Sequence, residues 1–361
     1  MSNSNNLSSV ERIESRFADG QELSNSEAAT KKSTLSKIRI RHLFWIPSLL
    51  YSRTYRLLPS ILKDLLFWLS IIHKSPASKL FAKTGYDEFR TKIDIKISSL
   101  VIKGAPKFMR KDLEAAFSSG FYSVNLSNLS ALDELINDVI NYSNSSHAGA
   151  RPYFKDGKNK QIENSFSAYY SFSKQDNKKI NSIIQKDLDS NFDYYLSALA
   201  GYKCKLRDIS YSLSIVSGSN SNDEMHQDTY ASVAKGFLYL QDIDSDCGPF
   251  EYLEGSYMDA SFRSYITNEA VLQNDTHSAG STRLRNDTLD DGMSRYKLKS
   301  FTGPKGLFVI ANTGGYHRKG SHNSKKPRVL LACGVKRKGA INKLLINLVE
   351  IIKSVFKSRK Y

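Results

Sequence analysis

The stretch Ile209-Ser210-Tyr211-Ser212-Leu213-Ser214-Ile215-Val216 is where the fold becomes readable. Ile209, Tyr211, Leu213 and Ile215 alternate with serines. Successive side chains of a strand point to opposite faces, so this alternation predicts a strand with one face on a core. Downstream, residues 234–242, Phe250–Leu253, 306–310 and 329–334 read as further strands. Upstream the period changes. Leu113, Phe117, Leu132, Leu135, Ile136 and Val139 fall at helical spacings across 111–142, and 180–199 reads as another helix ended by Gly201. Residues 144–160 are a polar loop. Residues 258–300 are long, polar and without clear period, which predicts a lid or binding loop. Together these readings give a mainly β body with flanking helices, an α+β chain, in which no internal repeat is visible.

The chain has 361 residues, 40% of them hydrophobic and 11% aromatic, enough to bury a sizeable core and to exclude a wholly disordered protein. Its length suits one large or two ordinary domains. Three cysteines without paired spacing exclude a disulfide scaffold and a Cys-only zinc site. The formal charge of +16 points at first to nucleic acid or an anionic membrane. Its distribution narrows that. Residues 1–110 hold 19 Lys and Arg against 9 acidic residues, 335–361 hold 8 against 1, and the middle holds 25 against 26. The excess sits on the ends, and a neutral body argues against nucleic acid.

The ends read as appendages. Residues 1–34, rich in Ser, Asn, Glu and Lys, are expected to be a disordered arm, with no signal peptide pattern. Residues 35–105 read as a basic, hydrophobic helical extension. Within it, 43–72 fits two short amphipathic helices, since its longest uncharged run, Leu65 to Ile72, is far short of the roughly 20 residues that span a bilayer. Residues 336–361 form a basic amphipathic helix with Ile341, Leu344, Leu345, Leu348, Ile352 and Val355 on one face and Lys343, Lys353 and Lys357 beside it. Such faces pack on the parent domain or a partner, or lie on an anionic membrane. The expected location is cytoplasmic, with peripheral membrane contact through both termini and a lipid-like substrate if that contact is real.

The chemistry centres on Met225-His226-Gln227-Asp228. On a strand, His226 and Asp228 project from one face, close enough to share a metal ion. A further His would complete a two-His-one-carboxylate facial triad, which leaves positions open on iron for a bidentate cosubstrate and dioxygen. The candidates are His277, in the polar loop, and His317 and His322 beyond the strand at 306–310. Arg328 lies eleven residues after His317 and opens the last strand, where it can clamp a carboxylate bidentately. His42 and His73, beside hydrophobic stretches, read as structural, and Cys247 and Cys333 as small core residues.

On His226-Gln227-Asp228, on Gly248-Pro249-Phe250-Glu251-Tyr252-Leu253-Glu254-Gly255-Ser256, and on His317-Arg318 with Pro327-Arg328, the chain resembles the phytanoyl-CoA dioxygenase family of Fe(II)/2-oxoglutarate oxygenases. The resemblance spans roughly 205–335. It implies a double-stranded β-helix, a jelly-roll, cupin-like core within 106–335. It implies iron held by His226, Asp228 and His317, and 2-oxoglutarate held by Arg328. It also implies dioxygen as cosubstrate, and hydroxylation of a small or lipid-like molecule coupled to release of succinate and carbon dioxide. Asp228 favours hydroxylation over halogenation, since halogenating relatives lack that carboxylate. Tyr257 stands where the family often has His, and Lys319 where it has a small residue. A cupin-type metalloenzyme with non-oxidative chemistry, and a non-enzymatic membrane-surface or nucleic-acid binder, are the other readings. The substrate pocket is expected from 258–300 and from 150–175, with Arg151, Tyr153, Tyr169 and Tyr170.

Overall fold

The computed structural model describes residues 86–143, 152–154, 166–217, 224–228, 233–272, 282–285, 287–324 and 328–335, and four positions of the C-terminal helix, Lys343, Ile346, Asn347 and Val349. The strands are β1 (Phe121–Asn125), β2 (Pro152–Phe154), β3 (Phe166–Ser171), β4 (Ser210–Ser217), β5 (His226–Gln227), β6 (Ala234–Tyr239), β7 (Phe250–Leu253), β8 (Thr282–Arg283), β9 (Leu298–Phe301), β10 (Leu307–Asn312), β11 (His317–Lys319) and β12 (Arg328–Gly334). The helices are α1 (Tyr86–Lys103), α2 (Arg110–Ser119), α3 (Ser130–Ser143), α4 (Lys174–Asp187), α5 (Phe192–Ala200), α6 (Ala260–Leu272) and α7 (Asp287–Arg295).

The strands form two antiparallel sheets, in the orders β1-β10-β6-β12-β4-β3-β2 and β8-β5-β11-β7-β9. From β4 to β7, and again from β9 to β12, the chain steps from one sheet to the other at every strand. Two such antiparallel windings facing each other are a double-stranded β-helix. The jelly-roll core is therefore present in the strand order itself.

The alternation in β4 explains how the layers are filled. Tyr211, Leu213 and Ile215 join Val329 and Leu331 of β12, and Leu132, Ile180 and Leu196 of the helices, in the larger core between sheet and helices. Leu213 and Leu331 are fully buried, and such a side chain contributes about 1.5–3 kcal/mol. The opposite face of β4, with Ser210 and Ser212, lines a cavity inside the barrel. A second core of Tyr239, Phe250, Tyr252, Val309 and Leu330 closes the barrel between the sheets.

The structure corrects several expectations. The single helical region at 111–142 is α2, β1 and α3. Gly120, at φ 91°, ends α2 in the left-handed region that favours glycine. Phe121–Asn125 then adds an edge strand to β10. The helix expected over 180–199 is α4 and α5, separated where the Asp189 carboxylate accepts the Asn191 N–H at 3.0 Å. Residues 258–300 are not one loop but contain α6, β8, α7 and β9. The buried positions of α6 include Arg263, Ser264 and Thr267 beside Phe262 and Ile266. A helix that buries polar side chains shows no apolar stripe in its sequence.

The ends also differ from free appendages where they are described. Of the extension at 35–105, α1 lies against α5 and α6 with Thr91, Asp94, Ile97, Ser98 and Ile102 buried. Lys343 is not on a solvated rim. It is fully buried and ion-paired to Asp94 of α1 at 3.0 Å. The arm at 1–34, the stretch 43–72, His42, His73, Arg151, His277, Lys353 and Lys357 lie outside the described residues. Among the described residues no helix is long and apolar enough to cross a membrane.

Candidate metal centre

β5 and β11 are adjacent in the smaller sheet, and their register sets His226 directly opposite His317. The imidazole centroids are 4.6 Å apart. Asp228 follows β5, where its N–H donates to the Thr313 carbonyl at 2.9 Å. The Asp228 carboxylate lies 3.9 Å from His226 Nε2 and 3.5 Å from His317 Nε2. Nitrogen and oxygen ligand atoms of these three residues all fall within 4.8 Å of one another, the one such group of metal-ligating side chains among the described residues.

Each imidazole is oriented by the carbonyl two residues before it. His226 Nδ1 is 2.8 Å from the Glu224 oxygen, and His317 Nδ1 is 3.0 Å from the Gly315 oxygen. A carbonyl only accepts, so each Nδ1 donates to its carbonyl, and each Nε2 is left facing Asp228. Burial, reinforced by the neighbouring His317, pushes the pKa of His226 down to about 4, so its ring is neutral at physiological pH. Burial works against ionisation of Asp228, but His317 and Lys235 outweigh it and hold the carboxyl well below its usual range. One carboxylate and two imidazoles form the kind of donor set that a divalent transition metal takes.

The residue between the two ligands faces the other way. Gln227 is fully buried. Its amide donates to Thr282 Oγ1 at 2.6 Å and Thr267 Oγ1 at 3.1 Å, and its carbonyl accepts from Arg263 Nε at 3.3 Å. Arg263 also donates to the Tyr257 carbonyl at 2.9 Å. A two-residue strand has few ladder bonds of its own, so this network between β5, α6 and β8 sets the twist of His226 and Asp228. Nothing in the local pattern marks Arg263 or Thr267. The polar Gln227 between two ligands is the one sign that the strand's other face is also occupied.

The triad opens into a cavity of about 420 Å³ inside the barrel, also lined by Lys235, Phe237, Phe250, Arg318 and Arg328. Arg328 opens β12 with its guanidinium 5.9 Å from the Tyr239 ring. It is 7% exposed, and its buried Nε has no hydrogen-bond partner among the described residues. Such a donor is costly unless an anion reaches it. His322 is fully buried at a bridge to Cys247 and is outside the ligand group. Tyr257 packs edge-on against Phe117 at 5.3 Å beside the Gly255 turn, a structural place. Cys333, buried with its thiol pushed up to about 12 by that burial, packs in the larger core and borders the cavity. None of the described residues of 258–300 lines the cavity, and β2 and β3 extend the larger sheet beyond β4.

No family model matches this sequence, and no curated protein matches it. Several solved structures are similar in fold. The epimerase SnoN, in complex with Fe3+, alpha ketoglutarate and nogalamycin RO, is 10% identical with a TM-score of 0.42 over 64% of this chain and 84% of that one. EctD from S. alaskensis with bound Fe is 12% identical, TM-score 0.39, over 62% and 76%. HygX from Streptomyces hygroscopicus with nickel and 2-oxoglutarate bound is 14% identical, TM-score 0.37, over 62% and 85%. Likenesses this faint carry no argument about activity. The fold rests on the strand order above, and the centre on its own geometry.

Proposed function

We propose that this chain is an Fe(II)- and 2-oxoglutarate-dependent oxygenase that hydroxylates a small or lipid-like molecule. One observation carries the reading. Two imidazoles and a carboxylate converge within 4.8 Å, in the cavity that also holds a buried arginine with an unpaired Nε. The residues fit the groups. Nε2 of His226, Nε2 of His317 and the Asp228 carboxylate would hold iron, and Arg328 would take the distal carboxylate of 2-oxoglutarate. Bound there with dioxygen, these groups supply decarboxylation of 2-oxoglutarate to succinate coupled to oxidation of a substrate C–H bond. The chain's own part is to orient both imidazoles through their Nδ1 atoms, to keep His226 neutral by burial, to fill the third ligand position with Asp228 and to exclude water with Phe237 and Phe250. Asp228 in that position supports hydroxylation over halogenation.

Anaerobic titration with Fe(II) and 2-oxoglutarate, followed by succinate release against a metabolite and lipid extract, tests this. An apoprotein that takes up no iron ends the proposal. Arg328→Ala is expected to weaken 2-oxoglutarate binding by about 10–100-fold, the loss of a charge-assisted pair, while iron uptake is kept. Gln227→Leu is expected to lower metal affinity by about 10–100-fold, as for other groups that orient ligands. Gln227→Glu, which keeps an acceptor for Arg263, should restore most of it in the same titration. Cytoplasmic location and peripheral contact with an anionic membrane belong to this proposal. Their support is the sequence of 43–72 and of the C-terminal helix beyond the docked Lys343.

A further inference from the structure

Lys235 is neither a metal ligand nor part of the 2-oxoglutarate clamp as proposed, yet it stands beside the centre. Its Nζ is 2.8 Å from Asp228 Oδ2, and its side chain is 42% exposed within the cavity. It projects from β6 into a lateral row with Gly334 of β12 and Ser210 of β4, since Gly334 pairs with both. The next row is Phe237, Ala332 and Ser212. Glycine and alanine at the middle of these rows leave open space between the lysine side and the serine side, about 10 Å apart across two strand spacings. All of these residues line the cavity.

The charges of the lining are unequal. Asp228 is the acidic side chain among the described lining residues, against Lys235, Arg318, Lys319 and Arg328. Arg318 is already matched by Glu251 at 2.7 Å. With a divalent ion on Asp228 and a 2-oxoglutarate dianion between that ion and Arg328, the charges of ion, carboxylates and Arg328 cancel. Lys235 is then an accessible cation on the open side of the centre, competing with the metal for the same carboxylate. A cation placed in a low-dielectric cavity is satisfied by an anion that comes to it.

We propose that the molecule oxidised at this site carries an anionic oxygen group, a phosphate or a carboxylate, and that Lys235 docks it beside the metal ligands with hydroxyls of Ser210 and Ser212 across the row. This rests on reading the centre as an iron and 2-oxoglutarate site. Phe237 and Phe250, stacked at 4.4 Å, give the apolar part of such a molecule a surface next to the reacting position.

The test uses the full chain loaded anaerobically with Mn(II) and 2-oxoglutarate, titrated calorimetrically with phenyl phosphate in one arm and benzoate in the other. Wild type is expected to bind at least one probe saturably, and the tighter arm identifies the anion. Lys235→Met should weaken that binding about tenfold or more, the loss of one charge-assisted hydrogen bond, and Lys235→Arg should keep most of it. Equal binding to wild type and Lys235→Met, or binding of neither probe to wild type, overturns the proposal. So does loss of Mn(II) uptake in Lys235→Met with probe affinity unchanged, which makes the lysine a partner of Asp228 alone. A wild-type chain that takes up no Mn(II) fails earlier, at the reading of the centre itself.

Discussion

His317→Ala is expected to lose ferrous iron binding by at least about a hundredfold, and His322→Ala to keep it. Outer groups that orient metal ligands already cost 10–100-fold when removed, and a ligand costs no less. The two histidines are five residues apart and both buried, so exposure does not separate them. Register does. His317 is opposite His226 across the β5–β11 pair, with Nε2 3.5 Å from the Asp228 carboxylate. His322 is tied into a bridge to Cys247 beyond the end of β11. Moving β11 by one residue would turn His317 out of the barrel, because alternate residues face opposite sides. The Ser256 hydroxyl, accepting the Tyr316 N–H at 2.9 Å, helps prevent that slip. Iron titration of both variants, with succinate release as second readout, decides the matter. Retained affinity in His317→Ala would remove the third ligand from the proposed centre.

The centre was legible because its chemistry is written in short patterns. A histidine and an aspartate two residues apart on a strand must share a face, and a later histidine with an arginine eleven residues on points to His317 and Arg328, which line the same cavity. The β strands with clean alternation were legible for the same geometric reason, and β4 and β12 fell close to their expected places. What was not legible depends on partners distant in sequence. In α6, Arg263 and Thr267 are buried because Gln227 and Thr282 meet them, and no window around residue 263 contains that information. β1 was hidden in a helical stretch because its pairing to β10, nearly two hundred residues away, outweighs the helical spacing around it. Nothing in the strand pattern at 234–242 singles out Lys235. Its meaning comes from reaching Asp228 and from the small residues at Gly334 and Ala332 beside it.

The same limit applies to the charge of the chain's ends, and it leads to the second large effect. Asp94→Ala is expected to destabilise the protein by about 3–5 kcal/mol, the usual cost of leaving a buried charge without its partner. Asp94 of α1 and Lys343 of the C-terminal helix are 2% and 0% exposed, 3.0 Å apart. Around them Asn347 donates to the carbonyls of Ile97 and Gly201 at 3.4 and 3.3 Å. A side chain at Gly201 would meet Lys343 Nζ and Ser98 Oγ, so α5 also closes on the pair. The C-terminal helix thus docks through Lys343 and Asn347, two polar positions outside the apolar face its sequence shows. Removing residues from 336 onward would strip Lys343 from Asp94 and expose this site, so membrane binding is better tested by charge reversal at Lys353 and Lys357 than by truncation. The double variant Asp94→Leu with Lys343→Met, which removes both charges, should recover most of the stability. Denaturant unfolding of wild type, Asp94→Leu, Lys343→Met and this double variant measures the coupling. If Asp94→Ala unfolds at the wild-type midpoint, the pair is solvated and the C-terminal helix is not held by it.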